Sequence, residues 1–318
     1  MKRVLVTGGS GFLGRSVVRG LAGAGDEVEL VVSGDLGIPG PADRIDGVEY
    51  TAVDVTDREA VSAAIGGHRV DTVVHLASIV NPGKSTTREQ EYAVDVTGSR
   101  NVFDACLEHG VERIVVSSSG AAYGYHADSP EWLTEDDPVR GTDSFPYSLH
   151  KRLVEEMLAE MRRTSPQLGQ VVLRIGTILG ETVDNQITDL FRKKKLLKIR
   201  GSDSPFVFIW DEDVVGVMLQ AVLGEKTGIF NVAGDGRMTI DEIAVELGKG
   251  VTAIPVGALK AALAVGNRLG LTPHGPAQTD FLRYRPVLDN TRLKEEFGYT
   301  PRFISREAFT AWRVANGL

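Results

Sequence analysis

Tyr147 and Lys151 stand four residues apart in Pro146-Tyr147-Ser148-Leu149-His150-Lys151. On a helix that spacing puts both side chains on one face. A phenol titrates near pH 10 and is a poor base at neutrality. An adjacent ammonium favours the phenolate and lowers that value by roughly 1–3 pH units. Such a phenol can take a proton from a substrate hydroxyl while hydride leaves the carbon, or return it in the reverse direction. The pattern Y-x-x-x-K is common on amphipathic helices, so it gains weight only from its company. Ser117-Ser118-Ser119 precedes it at the end of an apolar run. Hydroxyls there can hydrogen-bond a substrate carbonyl.

A second constellation opens the chain. Val4-Leu5-Val6-Thr7 runs into Gly8-Gly9-Ser10-Gly11-Phe12-Leu13-Gly14, and a helical pattern continues to about Ala22. Gly8 permits a tight turn out of a strand, Gly11 lets backbone approach a pyrophosphate, and Gly14 lets the helix pack closely. The first N–H groups of that helix, with its positive dipole end, would face phosphates. A strand before and a helix after are the context that makes three glycines a dinucleotide-binding loop. Gly8, Ser10, Gly11, Phe12, Leu13 and Gly14 are therefore expected to bind the cofactor.

Strand and helix patterns alternate through the first 180 residues, which predicts an α/β fold with a Rossmann-type, doubly wound parallel sheet. Strands are expected at Val28–Val32, Val48–Val53, Thr72–Leu76, Arg113–Ser118 and Val171–Ile175, with helices near 57–66, 88–109 and 147–163. Ligands of such sheets bind beyond the carboxyl ends of the strands. After the second strand, Ser33 and Asp35 are the residues placed to meet an adenosine ribose. No Arg or Lys stands beside them to hold an extra phosphate, so NAD is expected, with NADP the alternative. Asp54 and Val55 follow the third strand; Asp54 could accept from an adenine amino group, or close an Asx turn. Leu76, Ala77 and Ser78 follow the fourth strand, where small residues let a cofactor lie against backbone. Ser117 and Ile175, at the ends of the fifth and sixth strands, complete the expected cofactor-binding set with Tyr147 and Lys151. His75, inside an apolar run, reads as a satisfied core histidine.

The residues from 181 to 318 read as a smaller, mainly substrate-binding α/β domain that could return elements to the first, 1–180. Residues 182–199 read as a helix ending in Arg192-Lys193-Lys194-Lys195. Asp211–Leu223 reads as a helix and Gly228–Val232 as a strand. Thr239-Ile240-Asp241-Glu242 is a capping box opening a helix to Leu247. Further helices are expected over 258–269, 289–297 and 305–315. The irregular stretches 78–92 and 124–145 are candidate lids, and Arg283 and Arg285 are candidates for a substrate phosphate.

Composition excludes several classes. The 318 residues carry a net charge of −8, the wrong sign for a nucleic-acid partner. No apolar run reaches the length of a membrane span, so no membrane partner is expected. The histidines at 68, 75, 109, 126, 150 and 274 show no ligand spacing, so no metal site is expected. Cys106 is the single cysteine and reads as a buried core thiol. Met1 lies just ahead of the first strand, which predicts no signal peptide and a cytoplasmic protein.

These motifs together resemble the extended short-chain dehydrogenase/reductase family, in its NAD-dependent epimerase/dehydratase branch. The resemblance covers almost the whole chain: Thr7–Gly14, Asp54-Val55, His75–Ser78, Ser117–Ser119 with Tyr123-Gly124, and Tyr147 with Lys151. Leu173–Gly180, Phe230–Gly234 and Asp289–Pro301 look like later family segments. It implies that Ser119 orients the substrate oxygen, that Tyr147 is the acid/base, and that Lys151 tunes Tyr147 and holds the nicotinamide ribose. It also implies hydride transfer at a secondary alcohol or carbonyl carbon, with a nucleotide sugar as the leading substrate class. Two alternatives are a reductase of a non-sugar carbonyl and a non-catalytic dinucleotide-binding regulator. The branch pairs the helices near 88–109 and 147–163 in a homodimer, for which Ala93, Val96, Val102, Leu153 and Leu158 are apolar candidates.

Four departures from the family pattern bear on substrate. The family's helix asparagine is Asp95 here. The acidic pair of sugar-nucleotide dehydratases is replaced by Gly120 and Ala121, which argues against 4,6-dehydration. Thr177 stands where epimerases carry asparagine, and Phe206 where many carry arginine. The last two weaken recognition of a nucleoside diphosphate.

Overall fold

The computed structural model describes residues 1–83, 85–268, 275 and 279–318. Lys84, Leu269 and His274, which fall within the readings above, lie outside the described residues. The chain folds into two compact units that interleave in sequence. The first takes Met1–Ser119, His150–Arg174 and Asp211–Phe230. The second takes Gly120–Leu149, Ile175–Trp210 and Asn231–Leu318.

In chain order the elements begin with β1 (Lys2–Thr7), α1 (Phe12–Ala22), β2 (Val28–Asp35), β3 (Val48–Ala52), α2 (Arg58–Gly67) and β4 (Thr72–His75). A long helical stretch follows as α3 (Arg88–Tyr92), a π-helical turn (Ala93–Gly98) and α4 (Ser99–Glu108). Then come β5 (Arg113–Ser119), α5 (Pro146–Thr164) and β6 (Gly169–Ile175). Next are β7 (Thr177–Leu179), α6 (Gln186–Arg192), β8 (Lys195–Ile199), β9 (Phe208–Trp210), α7 (Asp211–Leu223) and β10 (Gly228–Val232). The last are α8 (Ile240–Glu246), β11 (Gly250–Ile254), α9 (Val256–Arg268), α10 (Thr279–Arg283) and α11 (Ser305–Ala315).

Seven strands form one sheet in the order β10-β6-β5-β4-β1-β2-β3. β1 pairs in parallel with β2 and β4, β2 with β3, and β4 with β5. This is the expected Rossmann-type sheet. Its strands are apolar runs because both faces are covered: Val4, Leu5, Val73, Ile114, Val115 and Val172 are all buried.

Local chemistry sets the ends. Asp57 caps α2, its carboxylate accepting from the N–H groups of Glu59 and Ala60 at 2.9 and 3.1 Å. Pro146 opens α5, where its missing N–H costs nothing. α7 packs on α1 where Gly20 leaves room: a Cβ there would lie 2.8 Å from a Leu219 methyl.

In the second unit, β7 pairs in parallel with β9, and β8 with β11. Its core is aromatic: Phe191, Phe206, Phe208, Phe309 and Trp312 pack edge-on or stacked at 5.3–6.0 Å between ring centres.

Three sequence readings need correction. The helix expected over 182–199 ends at Arg192, and Lys195–Ile199 is a strand. Leu196 and Ile199 are buried while Lys195 and Leu197 are exposed, so the apolar residues serve a sheet that a distant segment completes. The expected helix over 289–297 starts two residues later, at 291, and is π-helical over Leu293–Phe297. The second strand runs on to Asp35, so Ser33 and Asp35 lie within it: Ser33 pairs with Val6 and Tyr50, and Asp35 with Ala52.

Val96, Val102 and Leu158, offered above for a dimer face, are buried within the chain itself. Cys106 is also buried, and burial pushes its thiol up. No helix among the described residues is long and apolar enough to cross a membrane.

Candidate active site

The glycine loop has the geometry its spacing demands. Gly8 has φ +69°, and a Cβ there would lie 2.8 Å from the Ala77 nitrogen. On Gly14 a Cβ would collide outright with the Gly8 carbonyl oxygen. Any side chain would therefore drive the strand exit and the helix apart. No side chain caps the amino end of α1. Phe12, Leu13 and Gly14 form its first turn, so their N–H groups have no partner within the helix.

The surroundings of this loop suit a polar ligand. Ser10 Oγ and Ser33 Oγ are buried and have no hydrogen-bond partner among the described residues. Buried hydroxyls of folded proteins are ordinarily satisfied, so two orphans beside an open helix end fit a group with many acceptors. Asp35 accepts from the Ser10 N–H at 2.9 Å and from the Leu36 N–H at 2.8 Å. It thereby ties the end of β2 to the glycine loop. Asp54 closes an Asx turn, one of its oxygens accepting from the N–H and hydroxyl of Thr56 at 2.8 and 2.7 Å. Val55 is buried against Gly98, where a Cβ would lie 2.6 Å from a Val55 methyl.

β5 and α5 bring the lysine to the serines. Successive strand residues face opposite ways, so Ser117 and Ser119 share a face and Ser118 points away. Ser118 Oγ donates to Glu155, which also takes a two-pronged hydrogen bond from Arg174 at 2.7–3.1 Å. This buried cluster locks α5 against β5 and β6. One turn away, Lys151 Nζ donates to the Ser117 carbonyl oxygen at 2.8 Å, and Ser117 Oγ donates to the His75 carbonyl oxygen at 3.2 Å. Lys151 is 8% exposed; its ammonium stands at the carboxyl edge of the sheet. His75 is a satisfied core histidine as expected, 3% exposed between Thr7 Oγ1 (2.7 Å) and Ser99 Oγ (2.9 Å). Burial, aided by the charge of Lys151, lowers its pKa to about 3.

Tyr147 belongs to the second unit, on the first turn of the same helix. That turn is pinned by Ser148, whose Oγ donates to the Ala121 carbonyl oxygen at 2.6 Å and accepts from the Thr142 N–H at 2.9 Å. Ala121 lies in the 3₁₀ turn that follows Ser119 directly. Tyr147 and Lys151 keep their i, i+4 relation on one continuous helix, as the spacing predicts. Ile175 ends β6, buried.

The second unit also holds a cationic site that the sequence only hinted at. Arg285 lies over the Phe206 ring, 4.0 Å from its centre, and 5.3 Å from that of Phe281. Its Nη1 donates to the Ser204 carbonyl oxygen and hydroxyl at 3.0 and 3.1 Å, while its Nε has no partner among the described residues. Burial lowers its pKa to about 10, opposed by the Tyr125 phenol. Burial pushes Tyr125 up, with the charge of Tyr147 adding and Arg285 opposing. Tyr125, Phe145 and Phe281 stack around one another at 5.1–5.5 Å.

The fold also joins two residues that the sequence does not pair. Sequence alone marks Asp95 only as a departure, and His150 only as one histidine of six. His150 Nδ1 lies 2.9 Å from Asp95 Oδ2, and both are buried. The one signal is an acid in place of an amide, which calls for a hydrogen-bond donor nearby. Among the described residues there is no cluster of metal-ligating side chains.

Comparison with known proteins agrees with this architecture. The profile of the NAD dependent epimerase/dehydratase family matches residues 4–233. An uncharacterized protein of Mycobacterium bovis is 26% identical over all of this chain and 85% of its own length. The mouse UDP-glucose 4-epimerase is 29% identical over 76% of this chain and 67% of its own length. Among solved structures, the Thermotoga maritima UDP-glucose 4-epimerase with UDP-glucose superposes with a TM-score of 0.75 at 19% identity, covering 99% of this chain and 98% of that one. The Thermus thermophilus UDP-glucose 4-epimerase with NAD gives 0.73 at 24%, covering 98% of each chain. With its family profile matched over most of its length, the chain belongs to the NAD-dependent epimerase/dehydratase enzyme family.

Proposed function

We propose that this enzyme binds NAD and moves hydride to and from a secondary alcohol carbon of a nucleotide sugar, with Tyr147 as acid/base. The observation that carries the reading is Lys151 anchored on the Ser117 carbonyl oxygen, one helical turn from Tyr147. Bound NAD supplies the hydride acceptor. Gly8, Ser10, Gly11, Phe12, Leu13 and Gly14 would hold its pyrophosphate, and the orphan hydroxyls of Ser10 and Ser33 suit its polar groups. Asp35, Asp54, Val55, Leu76, Ala77, Ser78, Ser117 and Ile175 would line the rest of it. NAD, rather than NADP, is supported by the acid at the end of β2 and by relatives solved with NAD. In this reading Lys151 favours the Tyr147 phenolate, and Ser119 hydrogen-bonds the substrate oxygen while Tyr147 takes its proton.

Arg285 supports the nucleotide-sugar substrate over a less charged carbonyl. Phe206 stands where the resemblance leads to an arginine in many epimerases, yet Arg285 puts a guanidinium on the face of that same ring. A half-buried cation with no carboxylate among its described partners suits a diphosphate. Thr177 keeps the second reading, a reductase of a non-sugar carbonyl, in view.

The test is thermal shift and fluorescence with NAD, NADP, and each plus UDP-glucose, followed by Tyr147→Phe. A well-bound cofactor at a hundred times its Kd stabilises by about 2.7 kcal/mol. Further stabilisation by UDP-glucose supports the nucleotide-sugar reading. Loss of general acid–base catalysis should cost Tyr147→Phe roughly 10²–10⁴ in kcat; undiminished turnover would sink the assignment.

A further inference from the structure

Asp95 sits in the π-helical turn Ala93–Gly98, in the middle of an otherwise α-helical stretch. Such turns recur at functional sites. Two partners of its carboxylate are fixed donors, and the third, His150 Nδ1, donates to an ionised carboxylate. Ser78 Oγ–H and the Ile79 N–H reach one oxygen at 2.9 and 2.8 Å. His150 Nδ1 reaches the other at 2.9 Å. A carboxylate accepts all three. An amide in that place could serve all three only if its NH₂ faced a bare His150 Nδ1, which is the other tautomer of that ring. Burial opposes ionisation of Asp95, but the His150 hydrogen bond, the Lys151 charge and the Ile79 and Ser78 donors outweigh it and hold the carboxyl below its usual range.

The pair ends a continuous hydrogen-bonded chain. Ser99 Oγ donates its one hydrogen to the Asp95 carbonyl oxygen at 2.6 Å. It must therefore accept from His75 Nε2–H. His75 Nδ1 is then left to accept from the hydroxyl of Thr7, the residue before Gly8. The chain runs from the glycine loop, through β4, to the helix residue next to Lys151.

We propose that Asp95 and His150 are a matched pair of positioning residues, which join the Ser78–Ile79 turn to helix α5 and so set the Lys151 ammonium against the bound cofactor. The inference rests on the NAD reading above. His150 acts through an Nδ1 proton directed at Asp95, the tautomer opposite to that of His75.

The test is a double-mutant cycle read as NAD affinity of the folded protein. Asp95→Asn and His150→Gln should each raise the NAD Kd by about tenfold, as expected for members of one hydrogen-bond network. The double variant should lose no more than about twofold beyond either single one. Multiplying losses in the double variant, or unchanged affinity in both single ones, would overturn the pair. A purely structural role would lower the unfolding midpoint and leave the Kd of the folded protein alone. Should the variants not fold, or the wild type bind no NAD, a long-range ¹H–¹⁵N spectrum of the unmodified protein decides. His150, assigned through its ring contact with Tyr92 (5.6 Å between centres), must carry a proton on Nδ1; a bare Nδ1 overturns the proposal. Absence of NAD binding with a protonated Nδ1 would sink the functional reading and leave the pair standing.

Discussion

The Arg285 guanidinium lies 4.0 Å from the centre of the Phe206 ring. The segment after α10 thus sets a positive charge on the approach to β9. Arg285→Gln should weaken UDP-glucose binding by roughly 10–100-fold, the worth of a hydrogen bond to a charged group, and leave NAD binding unchanged. Isothermal titration with each ligand checks this. Equal loss for both ligands would show a folding defect instead.

Gly14 faces the Gly8 carbonyl oxygen too closely for any side chain. Gly14→Ala should lower stability by about 1–3 kcal/mol and abolish measurable NAD binding, because α1 would have to back away from β1. Urea unfolding and NAD titration together check it. An alanine tolerated in both would contradict this close packing.

Lys151 Nζ is held by the Ser117 carbonyl oxygen at 2.8 Å. Lys151→Met keeps the length of the side chain and removes charge and donor. Turnover should fall at least as far as in Tyr147→Phe, and NAD affinity should fall with it, since one ammonium is assigned both tasks. The double variant should lose little beyond either single one, because residues that act as a unit are strongly non-additive.

His75 is held neutral, with its pKa lowered by burial to about 3 from an ordinary 6.5. Between those values the unfolded chain binds the proton and the folded chain does not, so stability rises with pH across that window. The contribution is fully present above pH 6.5 and is lost as pH falls toward 3, by at most about 1.4 kcal/mol per pH unit. Asp95, also lowered, adds a loss of the same sign below the ordinary carboxylate range. Urea unfolding at about pH 5 and about pH 7, which bracket the ordinary histidine value, should show a smaller difference in His75→Gln than in the wild type. Equal differences would mean that His75 does not govern this part of the profile.

The glycine loop, the parallel strands of the first unit and the Tyr147–Lys151 spacing were legible in the sequence because each depends on neighbours in the chain. Gly8 needs its positive φ for a turn to the next few residues. The strands announce themselves as apolar runs, and a helix fixes which residues four apart share a face. Even the capping box at Thr239 and Glu242 is written in four residues.

Tertiary structure decided what depends on partners far along the chain. Lys195–Ile199 became a strand because Gly250–Ile254 pairs with it. Asp211–Phe230 joined the first unit because α7 finds α1, and Val96, Val102 and Leu158 were taken by the chain's own core. Phe206 carries no charge of its own, and folding sets Arg285 over its ring. Asp95 gains His150 beside it only in the fold, from 55 positions later in the chain. In both cases the sequence shows only the residue type. Only folding brings a cation or a donor from another segment within hydrogen-bonding or stacking distance of it.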